Sequence, residues 1–234
     1  MRNNKGFTLV ELLVVIAIIA VLMAILLPSL NKAKDQAKGV TCRNNLRQIG
    51  LAAMLYAEDY DNYVPRSAGR RQISPGKYYE GWILYFLPYI GGKSNQTKDY
   101  REIDVYDCPK YPDKEQTVDY VINSWKDGNN EQIGFSKRSD FRQPGTKIFL
   151  ADNEYGDEQG SWRPIIKDQS ALNNRGEFDV WRPRHLPSWP NPSDRTRRRV
   201  AKARHRDGCN VMLLDGHSDW VQAEKNIPKL WQPE

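Results

Sequence analysis

Residues 6–28 read GFTLVELLVVIAIIAVLMAILLP, and this segment governs how the rest of the chain is arranged. A helix over 7–27 rises ~1.5 Å per residue and spans about 31 Å, which matches the hydrocarbon thickness of a bilayer. Arg2 and Lys5 precede it, and basic residues favour the cytoplasmic side of a membrane. The sequence therefore predicts a single-pass transmembrane helix with a cytoplasmic N-terminus.

Glu11 is the only charged residue in this apolar segment. A carboxylate is costly in hydrocarbon, and acids inside membrane segments usually serve a function. The cost falls when the carboxylate pairs with a cation in the same apolar layer. The sequence therefore predicts that Glu11 has a specific role in this segment. The alternative is an acid near the membrane surface whose side chain reaches the headgroups.

The hexapeptide GFTLVE at residues 6–11, followed by an apolar helix, closely resembles the class III signal of type IV prepilins and type II secretion pseudopilins. The resemblance implies that a prepilin peptidase cuts between Gly6 and Phe7 and methylates the new amino group of Phe7. It also implies that Glu11 of one subunit pairs with the Phe7 amine of a neighbour and sets the register of a filament, much as one buried polar residue sets the register of a coiled coil.

A second apolar stripe continues the helical period beyond the membrane segment. It steps by three or four residues through Cys42, Leu46, Ile49, Ala53, Tyr56 and Tyr60. The two segments together predict one long helix from about Phe7 to about Tyr60, whose second half packs on a globular domain. The predicted domains are a cytoplasmic leader (1–6), a transmembrane helix with the methylation motif (7–30), the outer half of the helix (31–60) and a periplasmic pilin-like domain (61–234).

The globular domain contains four strand signals. Asn210–Leu214 and His217–Val221 flank Asp215-Gly216, and Asp-Gly between two such runs is a strong β-hairpin cue. Lys147–Asp152 and Asp119–Asn123 are the other two predicted strands. These elements favour an α+β, pilin-like fold in which the long helix packs on an antiparallel sheet.

Two other segments are less regular. Residues 81–90 are dense in apolar side chains and suit either a short helix or a buried strand. Residues 153–204 match no pattern and are predicted to be an insertion with little regular structure.

The hairpin carries a second resemblance. His205, nine intervening residues and then Asp215-Gly216 resemble the H-x9-DG element of a large pseudopilin-like family that is abundant in planctomycete-type bacteria. Other short pieces agree with that family, namely the CRNNLRQIG run at 42–50, Cys108-Pro109, Tyr120 with Asn123, and Asp152 at the end of a strand.

Asp152, His205, Asp215 and His217 form a candidate metal site. Imidazole and carboxylate suit zinc, and carboxylate oxygens suit calcium. The alternative, which the sequence favours, is that Asp215 shapes the turn and His205 hydrogen-bonds a nearby carbonyl. No cofactor is therefore expected. No catalytic site is expected either, because a G-x-S-x-G context or a comparable setting for a nucleophile is missing.

The three cysteines are Cys42, Cys108 and Cys209. No two of them have the C-x-x-C spacing of a structural zinc site, and an exported domain can form disulfides. Cys42 lies on the predicted core face of the helix and Cys108 follows a predicted loop, so a Cys42–Cys108 disulfide is one interpretation. Three buried thiols are the other.

A basic run at 195–206 follows Trp181 and Trp189. Basic residues near aromatic rings can bind single-stranded nucleic acid or acidic glycans. Such runs are more often solvated loops, so nucleic-acid binding is possible but not favoured.

The sequence as a whole predicts a structural subunit of the pilin or pseudopilin type, in the bacterial inner membrane with its C-terminal domain in the periplasm. Its expected partners are the prepilin peptidase and N-methyltransferase, other pilin-like subunits and an inner-membrane assembly platform. The expected product is a periplasmic filament of a type II secretion-like or type IV pilus-like system. The alternative function is a periplasmic domain that binds a glycan, nucleic acid or metal and uses the helix only as a tether.

Overall fold

A computed structural model describes residues 8–64, 72–74, 77–78, 82–91, 103–112, 118–125, 136–154, 179–180, 182–190 and 198–232. The chain forms two compact units, Met1–Lys38 and Gly39–Glu234. The helices are α1 (Leu9–Asp59) and α2 (Trp82–Tyr85). The strands are β1 (Tyr63–Val64), β2 (Gln72–Ser74), β3 (Lys77–Tyr78), β4 (Tyr120–Asn123), β5 (Ser136–Lys137), β6 (Ile148–Asp152), β7 (Asp179–Val180), β8 (Gly208–Leu213) and β9 (Ser218–Gln222).

The first unit contains the N-terminal part of α1, and the prediction of one long helix is confirmed. The helix continues without interruption through Pro28. Leucine, isoleucine and valine side chains are exposed on every face between Leu9 and Leu30. Among the described residues, α1 is the one helix that is long and apolar enough to cross a membrane. A helix that is apolar all round is covered by lipid or by other helices in its working state.

The second unit is built on a five-stranded sheet with the order β7-β4-β6-β8-β9. The pairs β4–β6, β6–β8 and β8–β9 are antiparallel, which confirms the four predicted strands and the hairpin. Gly216 in the hairpin turn has a φ of 97°, a conformation that glycine adopts without the steric cost of a Cβ atom. The α+β organisation predicted from the sequence is therefore the observed one.

Strand β7 differs from the prediction. It comes from the stretch 153–204, which was expected to contain little regular structure, and it pairs with β4 in parallel. Val200 in the same stretch forms a bridge with Asn153. The stretch therefore completes one edge of the sheet. Its residues 155–178, 181 and 191–197 lie outside the described part of the chain.

Two hydrophobic clusters fill the second unit, and alternate residues of the central strands contribute to each. Tyr120 and Ile122 of β4 join the cluster that contains the α1 side chains, whereas Val121 joins the other. This alternation is the period of two that a strand imposes. Because both faces are covered, every residue of β4, β6 and β8 is buried.

The described part of the ambiguous segment, residues 82–90, is mostly helical. It forms α2 and then a turn of 3-10 helix at Leu87–Tyr89. Trp82 is fully buried, and its ring lies edge-on to that of Tyr106 with centroids 5.6 Å apart. The apolar density of the segment therefore belongs to a core helix.

Asn123 hydrogen-bonds the C-terminal segment to the sheet, and replacing its side chain should lower the stability of the second unit. Its Nδ2 donates to the carbonyl oxygens of Ile148 and Trp231, each at 2.7 Å, and its Oδ1 accepts the Trp125 N–H at 2.8 Å. We expect Asn123→Ala to lower the free energy of unfolding by about 2 kcal/mol, because buried groups lose their partners. Chemical denaturation of the detergent-solubilised protein measures this loss.

Asn44→Ala is the matched control, since Asn44 is exposed on α1. Surface changes of this kind stay within about 0.5 kcal/mol. Equal stabilities for the two variants would contradict the structural role of Asn123.

Candidate functional site

Thr8 and Glu11 form a closed hydrogen-bonded unit at the start of α1. The Thr8 N–H and hydroxyl both donate to Glu11 Oε2, at 2.8 and 2.7 Å. The Glu11 N–H donates to Thr8 Oγ1 at 3.3 Å. This is a capping box, in which the residue before the helix and the third helical residue satisfy each other's backbone donors.

The capping box gives Glu11 a local role that the sequence reasoning missed. The signal was present, because Thr8-x-x-Glu11 has the capping-box spacing. Gly6 and Phe7, where cleavage and methylation are predicted, lie outside the described residues. Pairing of Glu11 with a neighbouring Phe7 amine stays a prediction.

A second candidate site is a buried cluster in the second unit. Cys42, Cys108, Asp152 and His205, which we call the His205 cluster, are each at most 6% exposed. A disulfide joins Cys42 of α1 to Cys108, with the Cα atoms 5.0 Å apart. His205 Nε2 lies 3.7 Å from Cys108 Sγ and 3.4 Å from Asp152 Oδ2. The cluster therefore connects the helix, a loop, the end of β6 and the approach to β8.

Burial dominates the electrostatics of the carboxyl groups here. It raises the pKa of Asp152 to about 7, and this rise is opposed by the charge of Arg204 and by the Asn210 N–H, which donates to Oδ2 at 2.6 Å. Burial also raises the pKa of Asp119 to about 9, although its Oδ2 accepts the Cys108 N–H at 2.8 Å. Asp119 is therefore mostly protonated at neutral pH.

His205 is placed by the turn that leads into β8. Its N–H donates to the Gly208 carbonyl at 3.1 Å, and its carbonyl accepts the indole N–H of Trp220 at 2.8 Å. Arg206, in the turn between His205 and Gly208, has a φ of 64°. The backbone on both sides of His205 is thus held by β8 and β9.

The other end of the H-x9-DG element forms the hairpin turn. Asp215 Oδ1 accepts the His217 N–H at 3.2 Å and lies 2.6 Å from His217 Nδ1. A Cβ atom on Gly216 would collide with Met54 of α1. At ~3.3 Å per residue, the six residues of β8 hold the two ends of the motif about 20 Å apart.

The predicted metal set of Asp152, His205, Asp215 and His217 is therefore not one site. Asp152 and His205 lie together, and Asp215 with His217 forms a separate pair at the turn. Within the described ranges, a single group of three such residues has its ligand atoms within 4.8 Å of one another, and it consists of Cys42, Cys108 and His205. A β-strand separates the two halves of the motif, and metal binding by either half stays a prediction.

Three polar side chains hydrogen-bond α1 to the rest of the second unit. Asn45 Nδ2 donates to the Asp107 carbonyl at 2.7 Å, and Asn210 Nδ2 donates to the Gly39 carbonyl at 3.2 Å. The Tyr120 hydroxyl donates to the Cys42 carbonyl at 3.4 Å. Buried amides on an otherwise apolar helix face were the available signal for Asn45.

Part of the basic run at 195–206 is used inside the domain. Arg198 pairs with Glu154 at 3.3 Å. Arg204 is buried, donates to the Asn153 carbonyl at 2.6 Å and lies 4.2 Å from the Tyr111 ring centroid. Residues 195–197 and Trp181 lie outside the described residues. These internal contacts weaken the case for a nucleic-acid surface.

Comparisons with known proteins agree with this organisation. Residues 1–27 match the family model "Prokaryotic N-terminal methylation motif", and residues 31–148 match "Protein of unknown function (DUF1559)". No solved structure matches the chain.

Curated relatives are similar over part of the chain. The type IV wide pilus major component PilA4 of Thermus thermophilus is 43% identical over 68 residues, which are 29% of this chain and 52% of PilA4. The type II secretion system core protein G of Pseudomonas aeruginosa is 32% identical over 68 residues, 29% of this chain and 48% of that protein. The ComG operon protein 3 homolog of Bacillus licheniformis is 32% identical over 92 residues, 39% of this chain and 88% of the homolog.

The chain thus spans about half the length of the first and second of these relatives. An apolar N-terminal helix with one capped acid, followed by a sheet domain, defines a pilin-like or pseudopilin-like protein. Its relatives are structural pilins and pseudopilins rather than enzymes. Because the DUF1559 model covers half of its length, the chain belongs to the DUF1559 family.

Proposed function

We propose that this protein is a filament subunit that is cleaved after Gly6, methylated on Phe7 and assembled through the apolar part of α1. The observation that carries the proposal is the exposure of apolar side chains on every face of α1 between Leu9 and Leu30, with Glu11 the single charge. Lipid covers such a surface before assembly, and neighbouring helices cover it afterwards.

The subunit works at the bacterial inner membrane, where the apolar helix spans the bilayer once and the second unit lies in the periplasm. Its partners are the prepilin peptidase and methyltransferase, other pilin-like subunits and an inner-membrane assembly platform. The filament is of the type II secretion or type IV pilus kind. Similarity to both PilA4 and core protein G supports this class.

The test is the mass and N-terminal sequence of the protein from native membranes, with and without the prepilin peptidase. We expect a chain that begins at N-methylated Phe7 when the peptidase is present and at Met1 when it is absent. Gly6→Leu should remain at Met1 in both strains, because the signal that the chain resembles has glycine at this position. Asn4→Ala is the control and should be processed normally.

Two results would contradict the proposal. A wild-type chain that begins at Met1 in the presence of the peptidase would make α1 a simple tether. A chain that begins beyond Pro28 would indicate ordinary signal cleavage, after which no membrane helix remains.

A further inference from the structure

The His205 cluster brings together ligands of the kind that transition metals prefer. Two cysteine sulfurs and an imidazole nitrogen lie within 4.8 Å of one another. All three residues are buried, and all lie in the unit that begins at Gly39. Thiolate and imidazole together are typical of zinc sites in proteins.

We propose that the His205 cluster binds one transition-metal ion, best suited to zinc, when the Cys42–Cys108 disulfide is reduced. Cys42 Sγ, Cys108 Sγ and His205 Nε2 supply three ligands. Asp152 supplies the fourth. Asp215 and His217 take no part, because they form a separate pair at the hairpin turn.

Two distances from His205 already fit a tetrahedral ion, whereas the Asp152 carboxylate lies outside the group of three residues whose ligand atoms are all within 4.8 Å of one another and would move closer on binding. Zinc–ligand bonds of 2.0–2.3 Å at tetrahedral angles place neighbouring ligand atoms about 3.3–3.8 Å apart. His205 Nε2 lies 3.7 Å from Cys108 Sγ and 3.4 Å from Asp152 Oδ2. Once the disulfide is broken, the two sulfurs can separate toward the same spacing. The distances from His205 Nε2 to Cys108 Sγ and to Asp152 Oδ2 already match edges of the tetrahedron.

The Asp152 carboxylate is buried and oriented in a way that suits a fourth metal ligand. It is 1% exposed, and its Oδ1 has no hydrogen-bond partner among the described residues. Its Oδ2 accepts the Asn210 N–H at 2.6 Å, which fixes the orientation of the carboxylate. A buried oxygen without a partner is costly, and a bound cation would satisfy it.

Reduction of the Cys42–Cys108 disulfide comes before metal binding. A dithiol reductant donates two electrons and two protons, the S–S bond of Cys42–Cys108 breaks, two thiols form, and the reductant becomes a disulfide. The metal ion then displaces both thiol protons to solvent and binds two thiolates. Oxidation of the thiolates by a disulfide of the same class reverses the sequence and releases the ion.

The two states would serve the same structural purpose. Disulfide and metal each join α1 at Cys42 to the segment around Cys108, which are 66 residues apart in sequence. The reduced chain would therefore keep its helix attached to the sheet before the disulfide forms.

The experiment uses the full chain in detergent. The protein is reduced with a phosphine, which is oxidised to the phosphine oxide while one water molecule supplies the oxygen atom and the two protons, and the phosphine is then removed in the absence of dioxygen. Cobalt(II) is titrated as a spectroscopic probe, and zinc is added in competition. We expect one cobalt per reduced chain, with thiolate-to-cobalt charge-transfer bands and tetrahedral d–d bands that zinc abolishes, and no such bands for the oxidised chain.

Variants separate this site from adventitious thiol binding. His205→Ala should lose the tetrahedral bands, and the isosteric Asp152→Asn should lower cobalt affinity roughly 10–100-fold. Cys209→Ser is the control with an unchanged titration, because Cys209 is a buried cysteine outside the disulfide. Circular dichroism checks that each variant is folded.

Three outcomes would overturn the proposal. The first is a reduced wild-type chain without a stoichiometric cobalt signal. The second is equal binding by the oxidised chain. The third is unchanged binding by folded His205→Ala and Asp152→Asn, which would assign the signal to thiols alone.

Discussion

Glu11→Ala is expected to leave the protein inserted in the membrane and to abolish its entry into filaments. Insertion depends on the apolar length of α1, which the change extends. Assembly in the proposed mechanism depends on an ion pair between the Glu11 carboxylate of one subunit and the Phe7 amine of its neighbour, in a layer where either charge alone is costly. Membrane fractionation measures insertion, and the amount of protein in sheared or pelleted filaments measures assembly.

The capping box supplies the controls for this experiment. Glu11→Gln keeps a side chain that can accept the Thr8 N–H but removes the charge, whereas Thr8→Ala removes the cap and keeps the charge. If the ion pair drives assembly, Glu11→Gln fails like Glu11→Ala, and Thr8→Ala assembles. The opposite pattern would show that Glu11 acts only on the end of its own helix.

Gly208→Ala is expected to destabilise the second unit strongly. A Cβ atom at this position would collide with the Val221 carbonyl oxygen and lie 2.9 Å from the Trp220 ring. Because one obstacle is backbone, β8 and β9 have to move apart. We expect a loss of about 3 kcal/mol in the free energy of unfolding, measured by chemical denaturation.

Gly91→Ala separates this collision from the ordinary cost of replacing a glycine. Gly91 has a φ of 83°, and a Cβ atom there meets none of the described residues within 4 Å. The left-handed conformation alone costs a non-glycine residue about 1–2 kcal/mol. If Gly208→Ala is no less stable than Gly91→Ala, the close approach of β9 to Gly208 is wrong.

The parts of the fold that the sequence predicted are those whose signals are local. The bounds of α1 follow from an uninterrupted helical period, and the β8–β9 hairpin follows from Asp215-Gly216 between two apolar runs. β7 escaped prediction because its two residues are defined by pairing with β4 more than fifty positions earlier. A segment that short has no period of its own.

The candidate sites show the same difference between local and long-range signals. The Thr8–Glu11 cap could have been found by its spacing alone. His205 and Cys108 are 97 positions apart in sequence, and their contact depends on the packing of the sheet in the second unit. No local pattern could therefore predict it. The burial that shifts the pKa of Asp119 is likewise a property of the packed domain.

The position of β8 between His205 and Asp215 has a consequence for how the sequence can change. The nine intervening residues consist of the turn residues Arg206 and Asp207, the six buried residues of β8, and Leu214, so the length of the motif reflects the length of the strand. A deletion or insertion of a single residue there would exchange the two faces of β8, moving Met212 away from the α1 side and Val211 toward it. The length of this segment is therefore constrained by the two faces of β8, in addition to the constraint on the identity of Gly208.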